Sequence, residues 1–336
     1  MLAVSVIIPT FNGAQFIGRT LDSILQQDYP PAEIIVVNDG STDDTASVVR
    51  TYAPGVRLID IENGGPTGAR LTAVRAAKSE WLAFCDSDDL WHPDHLSGLV
   101  GLADTHSVPF AFSNFRHVKN GQRADKSHFE ADPNFWMQPG RPVGNDGFIA
   151  EAPLFLRVLS HQAVFPSCIL VHRAFFDRVG GLNPALGRNV SEDLEFTLRC
   201  TKEKPTGIIV RPTVDVWRHE QNYTSDWIRT VAGSISILDY ARINHDLNQE
   251  YLAAVSREIV SRSIYGIDCC FNQRRFEDVA IFERNLSRTD TPLKTAIKIA
   301  VSKQPRFSAC LLSTALTAAG NGARLSRLLR HTRAPA

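Results

Sequence analysis

The chain has no excess of charge of either sign, since Lys plus Arg and Asp plus Glu each number 36. That balance removes the electrostatic footprint a nucleic-acid partner would call for, so none is expected. The six cysteines form no CxxC pair and no Cys/His zinc spacing. Cys85 and Cys168 lie in apolar runs and Cys269-Cys270 are adjacent, so reduced thiols and a cytoplasmic setting are expected. No apolar stretch reaches the length of a membrane span. The opening Met1-Leu2-Ala3-Val4-Ser5-Val6-Ile7-Ile8-Pro9 lacks a basic leader and reads as a strand, not a secretion signal. One local absence is informative: from Lys294 to Ala336 there is no Asp or Glu, while Lys294, Lys298, Lys303, Arg306, Arg324, Arg327, Arg330 and Arg333 all fall there.

What is present is a regular alternation. Val4–Pro9 is a β-branched run, and Phe16, Ile17, Leu21, Ile24 and Leu25 follow at helical spacing. The pattern repeats with strands at Glu33–Asn38, Val56–Ile61 and Trp81–Cys85, separated by helices through about Tyr52 and over Thr67–Ala77. Continuous apolar strands alternating with helices predict an α/β fold with a mostly parallel sheet covered on both faces. Ligands of such sheets bind at the carboxyl ends of the strands. Those ends carry Thr10-Phe11-Asn12, Asp39-Gly40-Ser41 and Asp86-Ser87-Asp88, so these groups are expected to converge on one crevice. From Phe115 to about Arg157 the chain reads as a long excursion rather than another strand–helix unit. Past about Ser225 it reads as helical, which places a domain boundary there.

The cluster Asp86-Ser87-Asp88-Asp89 leaves a buried strand, where carboxylates must meet water, a cation or a cap position. Two readings follow. A divalent cation carrying a diphosphate would use two of them, or one of them caps a helix near Trp91-His92-Pro93. Further along, Ser191 is expected to cap a helix whose first turn holds Glu192 and Asp193.

Taken together, Val6-Ile7-Ile8-Pro9-Thr10-Phe11-Asn12, Glu33–Asp43 and Phe84-Cys85-Asp86-Ser87-Asp88-Asp89, in this order and spacing, resemble an inverting glycosyltransferase of family 2. The resemblance covers roughly Val4 to Ser225. It implies a GT-A, Rossmann-like nucleotide-sugar-binding domain over residues 1–225, with a nucleotide part to about 113 and an acceptor part over 114–225. A helical region, 226–336, lies outside it. It further implies a nucleotide-sugar donor, UDP-linked, with Mn²⁺ or Mg²⁺. In this reading Pro9, Thr10, Phe11 and Asn12 form the nucleotide loop, Phe11 lies along the base, and Asp39 accepts the uracil imide N–H. Arg70 helps hold the nucleotide, although Leu71 follows it where the family often has Asn. Asp88 is the direct metal ligand, Asp86 reaches the ribose or a metal-bound water, Ser87 lies between them, and Asp89 keeps the cap. His219, in Trp217-Arg218-His219, meets the metal or the diphosphate. Asp193 is the general base and Glu192 its close alternative.

A glycan or lipid-linked acceptor in surface-polysaccharide assembly follows from the same resemblance. The cationic tail, with Leu325, Leu328 and Leu329 on one helical face, suits the inner face of an anionic membrane or packing on the catalytic domain or a second copy. Two rivals share the fold: a sugar nucleotidyltransferase, which would want a Gly-rich basic loop after the first strand, and a catalytically silent scaffold, which would not need the acidic residues.

Overall fold

The structure is a computed structural model and describes residues 2–131, 140–219, 225–305 and 308–314. The chain divides into two compact units, Met1–Ser225 and Asp226–Ala336. In the first, eleven strands form one sheet: β1 Val4–Thr10, β2 Glu33–Asp39, β3 Arg57–Ile61, β4 Trp81–Phe84, β5 Leu90–Trp91, β6 Phe110–Lys119, β7 Gln122–Arg123, β8 Gly140–Val143, β9 Gly147–Ala150, β10 Ile169–His172 and β11 Thr206–Arg218. Their order is β3-β2-β1-β4-β10-β6-β11-β9-β8, with β5 paired to β11 and β7 to β6.

The β3-β2-β1-β4 half is parallel throughout. Every residue of β1 and β4 is buried, as a sheet covered on both faces requires. Helix Ile17–Leu25 buries Ile17, Leu21 and Ile24, the stripe that its spacing predicts. In the other half β10 runs antiparallel to both β4 and β6, while β11 runs parallel to β6. The carboxyl end of β11 therefore lies at the same edge of the sheet as those of β1, β2 and β4.

The region from Phe115 to Arg157 holds more sheet than its composition suggests. β6 continues to Lys119, and the β8–β9 hairpin pairs antiparallel to β11. Alternating polar residues and turn glycines hid these strands. β11 was hidden by Pro212, which cannot donate to the ladder. The register with β6 shifts on both sides of that proline, opposite Asn114. Buried Asn114 fills the break: its amide donates to the Val210 carbonyl at 2.8 Å and to Ser127 Oγ at 3.0 Å. Its carbonyl accepts from the Phe115 and Phe129 amides at 2.8 and 3.2 Å. Beyond this bulge β11 pairs with β6 again and carries Trp217, Arg218 and then His219 to the sheet edge.

The second unit is helical among its described residues, led by Trp227–Asn244 and Gln249–Asn272. Asp226 and Asn248 cap these helices through their side chains. Leu293, Ile297, Leu311 and Leu312 are exposed. No described helix is long and apolar enough to cross a membrane. Arg324 to Arg333, with Leu325, Leu328 and Leu329, lie outside the described residues.

Replacing Asn114 by Ala strands the Val210 carbonyl and the Phe129 amide without water. Urea denaturation should show a loss of about 2–3 kcal/mol at unchanged m-value. A loss near zero would mean that the bulge holds itself.

Candidate active site

The parallel ladder brings three loops to one edge. After β1, Pro9 and Thr10 finish the strand in the interior, whereas Phe11 is 52 % exposed. Asn12 adopts φ +49°. Its amide N–H donates to Ser41 Oγ at 2.9 Å and its side-chain carbonyl accepts from the Thr42 amide at 2.8 Å, so the first loop is tied to the second. Phe11, Asn12, Ala14, Gln15, Thr42 and Asp43 line a cavity of about 540 Å³ there.

Asp39, at the end of β2, is buried. Its carboxylate accepts from the Gly64 and Gly65 amides at 2.7 and 2.9 Å. Burial raises its pKa, and those two N–H groups and Arg188 pull it back. Gly65 has φ +82°, and a Cβ there would lie 2.7 Å from the Gly187 carbonyl oxygen, so the turn and the close approach both require glycine. Arg188 donates to the Asn63 carbonyl at 2.9 Å. The Asn63–Gly65 loop is thus held between Asp39 on one side and Gly187-Arg188 on the other, and it opens helix Pro66–Ala76.

That helix presents Arg70. Its buried guanidinium donates to Asp86 Oδ1 at 2.6 Å and to Glu192 Oε1 at 2.7 Å. Burial opposes its charge, but Asp86 and Glu192 outweigh burial and hold it protonated. Glu192 opens helix Glu192–Lys202; burial raises its pKa, and Arg70 opposes that. Asp193, beside it, has no hydrogen bond or ion pair to another side chain among the described residues. Burial, then the neighbouring Glu192 charge, push its pKa up to about 7. Ser191 precedes them at φ +71° and makes no side-chain cap. The expected cap is replaced by a left-handed turn, a conformation that concentrates at functional sites.

The tetrapeptide after β4 divides its work. Asp86 is one-third exposed and bound to Arg70. Ser87 gives its carbonyl to Thr20 Oγ1 at 3.0 Å. Asp88 Oδ2 meets His219 Nε2 at 2.9 Å. Asp89 caps no helix: it is buried and accepts from Ser167 Oγ and from the Trp217 amide, the latter at 3.0 Å. Burial, then Asp88 and Asp86, raise its pKa well above the carboxylate range. The expected cap role is overturned because the next helix starts later, at His95, and β11 supplies donors instead. Among the described residues no three His, Cys, Asp or Glu side chains form a metal cage. The donor set still suits Mg²⁺ or Mn²⁺. One carboxylate and one imidazole adjoin, Asp86 stands in the same turn, and hard cations of this kind complete their shells with phosphate and water.

Phe16, Arg19 and Arg188 escaped the sequence reading. Phe16 stacks on His219 with centroids 4.2 Å apart, and Arg19 lies over the Trp217 ring at 3.6 Å. Phe16 and Arg19 share one helix face after the Phe11–Asn12 loop, but only the distant strand end gives that face its role.

The model of the family described as Glycosyl transferase family 2 matches residues 5–178, just over half of the chain. Over 118 residues the chain is 38% identical to the UDP-Glc:alpha-D-GlcNAc-diphosphoundecaprenol beta-1,3-glucosyltransferase WfaP of Escherichia coli, covering 34% of this chain and 47% of that protein. Over 136 residues it is 32% identical to the poly(ribitol-phosphate) beta-N-acetylglucosaminyltransferase TarS of Staphylococcus aureus, covering 39% of this chain and 24% of that one. The chain thus spans about half or less of these two relatives. Among solved structures, S. aureus TarS 1-349 in complex with UDP shares the fold at TM-score 0.59 and 20% identity, covering 86% of this chain and 82% of that one. A mannosyltransferase from Pyrobaculum calidifontis in complex with GDP-Man and Mn²⁺ does so at TM-score 0.56 and 20% identity, covering 95% and 80%.

Arg70→Met removes the cation shared by Asp86 and Glu192. The stranded Glu192 carboxylate should then titrate above its unfolded value, so stability is lost as pH rises past about 4. Chemical denaturation should give a deficit of about 3–5 kcal/mol at pH 8 and a smaller one at pH 5. A deficit independent of pH would assign Arg70 to packing alone.

Proposed function

Because the chain belongs to glycosyl transferase family 2, we propose that it moves one sugar, with inversion, from a UDP-linked donor to a hydroxyl of a glycan or lipid-linked acceptor in polysaccharide synthesis. The observation that carries this reading is the division between two adjacent carboxylates. Glu192 spends a lone pair on Arg70. Asp193 is uncommitted and sits near neutrality, where a general base works best.

The residues then take distinct tasks. Exposed Phe11 lies along the base, and the turn formed by Asn12, Ser41 and Thr42 holds it there. Asp39 keeps one lone pair of each oxygen for the uracil imide while its others brace Gly64 and Gly65. Asp86, Asp88 and His219 would hold the divalent cation, which when bound neutralises charge on the departing diphosphate. Arg70 acts through its neighbours: it fixes Asp86 on the donor side and Glu192 beside the base. The acceptor oxygen attacks the anomeric carbon opposite the diphosphate, Asp193 takes the hydroxyl proton, and the C–O bond to the diphosphate breaks with its electron pair leaving on oxygen. The UDP bound to one structural neighbour and the GDP-Man with Mn²⁺ bound to the other support a nucleotide diphosphate donor and a divalent ion. The diphosphoundecaprenol in one relative's name supports a lipid-linked acceptor. A nucleotidyltransferase would belong to a different family.

Asp193→Asn should lower kcat by about 10³-fold and leave UDP binding by calorimetry unchanged. In the parent protein, log kcat/KM should fall as pH drops through about 7, because a protonated carboxyl cannot accept the acceptor proton. Normal turnover in the variant would sink the assignment.

Exposed Leu293 and Ile297, one turn apart beside Lys294, with exposed Leu311 and Leu312, support an anionic membrane surface as the partner of the second unit. Leu293→Glu with Ile297→Glu should reduce co-sedimentation with phosphatidylglycerol vesicles several-fold and spare phosphatidylcholine controls. If vesicle binding holds and the sedimentation coefficient falls instead, the face packs against a second copy.

A further inference from the structure

We propose that Phe16, Arg19 and Thr20, at the start of helix Ile17–Leu25, are positioning residues that set the spacing between Asp88 and His219. The inference rests on the reading that those two hold a divalent cation.

Asp88 and His219 come from chain segments 131 residues apart. One sits in the short turn between β4 and β5, the other just beyond the end of β11. A pair of donors on two separate loops coordinates a cation well only if something rigid fixes both. The helix start touches both. On the turn, Thr20 Oγ1 donates to the Ser87 carbonyl at 3.0 Å and Arg19 Nη2 faces the Asp88 carbonyl at 3.4 Å. On the strand end, Phe16 stacks on His219 with rings 14° from parallel, and the Arg19 guanidinium carbon sits 3.6 Å from the centre of the Trp217 ring. The periods match: residues 16, 19 and 20 share one helix face, and residues 217 and 219 share one side of an extended chain. The Trp217 amide closes the ring by donating to Asp89, next to Asp88.

These contacts are more than general packing. Arg19 also borders a cavity of about 690 Å³ lined by Asp22, Ser23, Gln26, Trp91 and Asp215 among others, so its guanidinium stands where the helix, the turn and the strand end meet. Arg19 is also a costly filler, because burial works against its charge more than Asp88 and Asp89 support it. Its Nε is buried without a hydrogen bond. An apolar side chain would cover Trp217 without that cost but could not reach the Asp88 carbonyl.

The test is calorimetry of UDP binding to the full chain with and without Mn²⁺, alongside thermal denaturation. In the parent protein Mn²⁺ should strengthen UDP binding. In Arg19→Leu, Phe16→Ala and Thr20→Val that strengthening should shrink, by about 10-fold in the first two, while metal-free affinity stays within about 2-fold. Phe16→Tyr, which keeps the ring face, should restore it. A lowered Tm with the Mn²⁺ effect intact would overturn the proposal and leave only packing. Asp88→Asn separates the two levels. If it abolishes the Mn²⁺ effect while the Arg19 and Phe16 variants keep it, the positioning proposal alone fails. If Asp88→Asn itself keeps the effect, the metal reading fails and this proposal falls with it.

Discussion

A single buried guanidinium, that of Arg70, is shared by two carboxylates from distant parts of the chain. Asp86 ends the parallel half of the sheet, and Glu192 opens a helix over a hundred residues later. The Glu192 charge is not tolerable in that interior alone, since stranding one of a buried pair leaves an uncompensated ion, while Asp86 keeps one-third of its side chain in water. The pairing forces the helix Pro66–Ala76, the β4 turn and the helix Glu192–Lys202 to meet at one point. In the proposed reaction that point lies between donor and acceptor. The ion pair therefore registers one side of the chemistry against the other.

The same arrangement sorts two adjacent acids. Both are pushed up by burial, but only Glu192 has a bonded cation to restrain it. Its charge in turn raises Asp193. Burial is the larger push on Asp193 and the adjacent Glu192 charge adds to it, which is one way two like groups are given different roles. Sequence could not choose between them. The choice depends on which one Arg70 reaches, and that is decided by helix orientation.

The parallel half of the fold was legible because its strands are continuous apolar runs and its turns carry Gly40, Asn12 and Asp43, each with a local reason to be there. The matching loops of the candidate site were legible for the same reason: strand ends of a parallel sheet share an edge. What could not be read were features made by long-range partners. Asp89 looked like a cap because its locally available partner was a helix start, while its actual donors, Ser167 and the Trp217 amide, lie far along the chain. β11 was broken in sequence by Arg211-Pro212 and mended in space by Asn114. Phe16 and Arg19 read as the ordinary start of an amphipathic helix, since nothing local announces that a strand end will lie against them.

The segment that leads into the Asp193 helix is also in contact with the loop that Asp39 holds. Gly187 packs on Gly65, Arg188 reaches the Asn63 carbonyl, and Asp39 holds Gly64 and Gly65 from the opposite side. In the proposed reaction a nucleobase at the Asp39 oxygens would share that carboxylate with the amides of the loop on which Gly187 packs. The left-handed Ser191 lies between that contact and the acidic pair. In the proposed reaction, donor binding at Asp39 and proton abstraction at Asp193 meet along one stretch of chain, from the Gly64-Gly65 contact through Gly187 to Ser191.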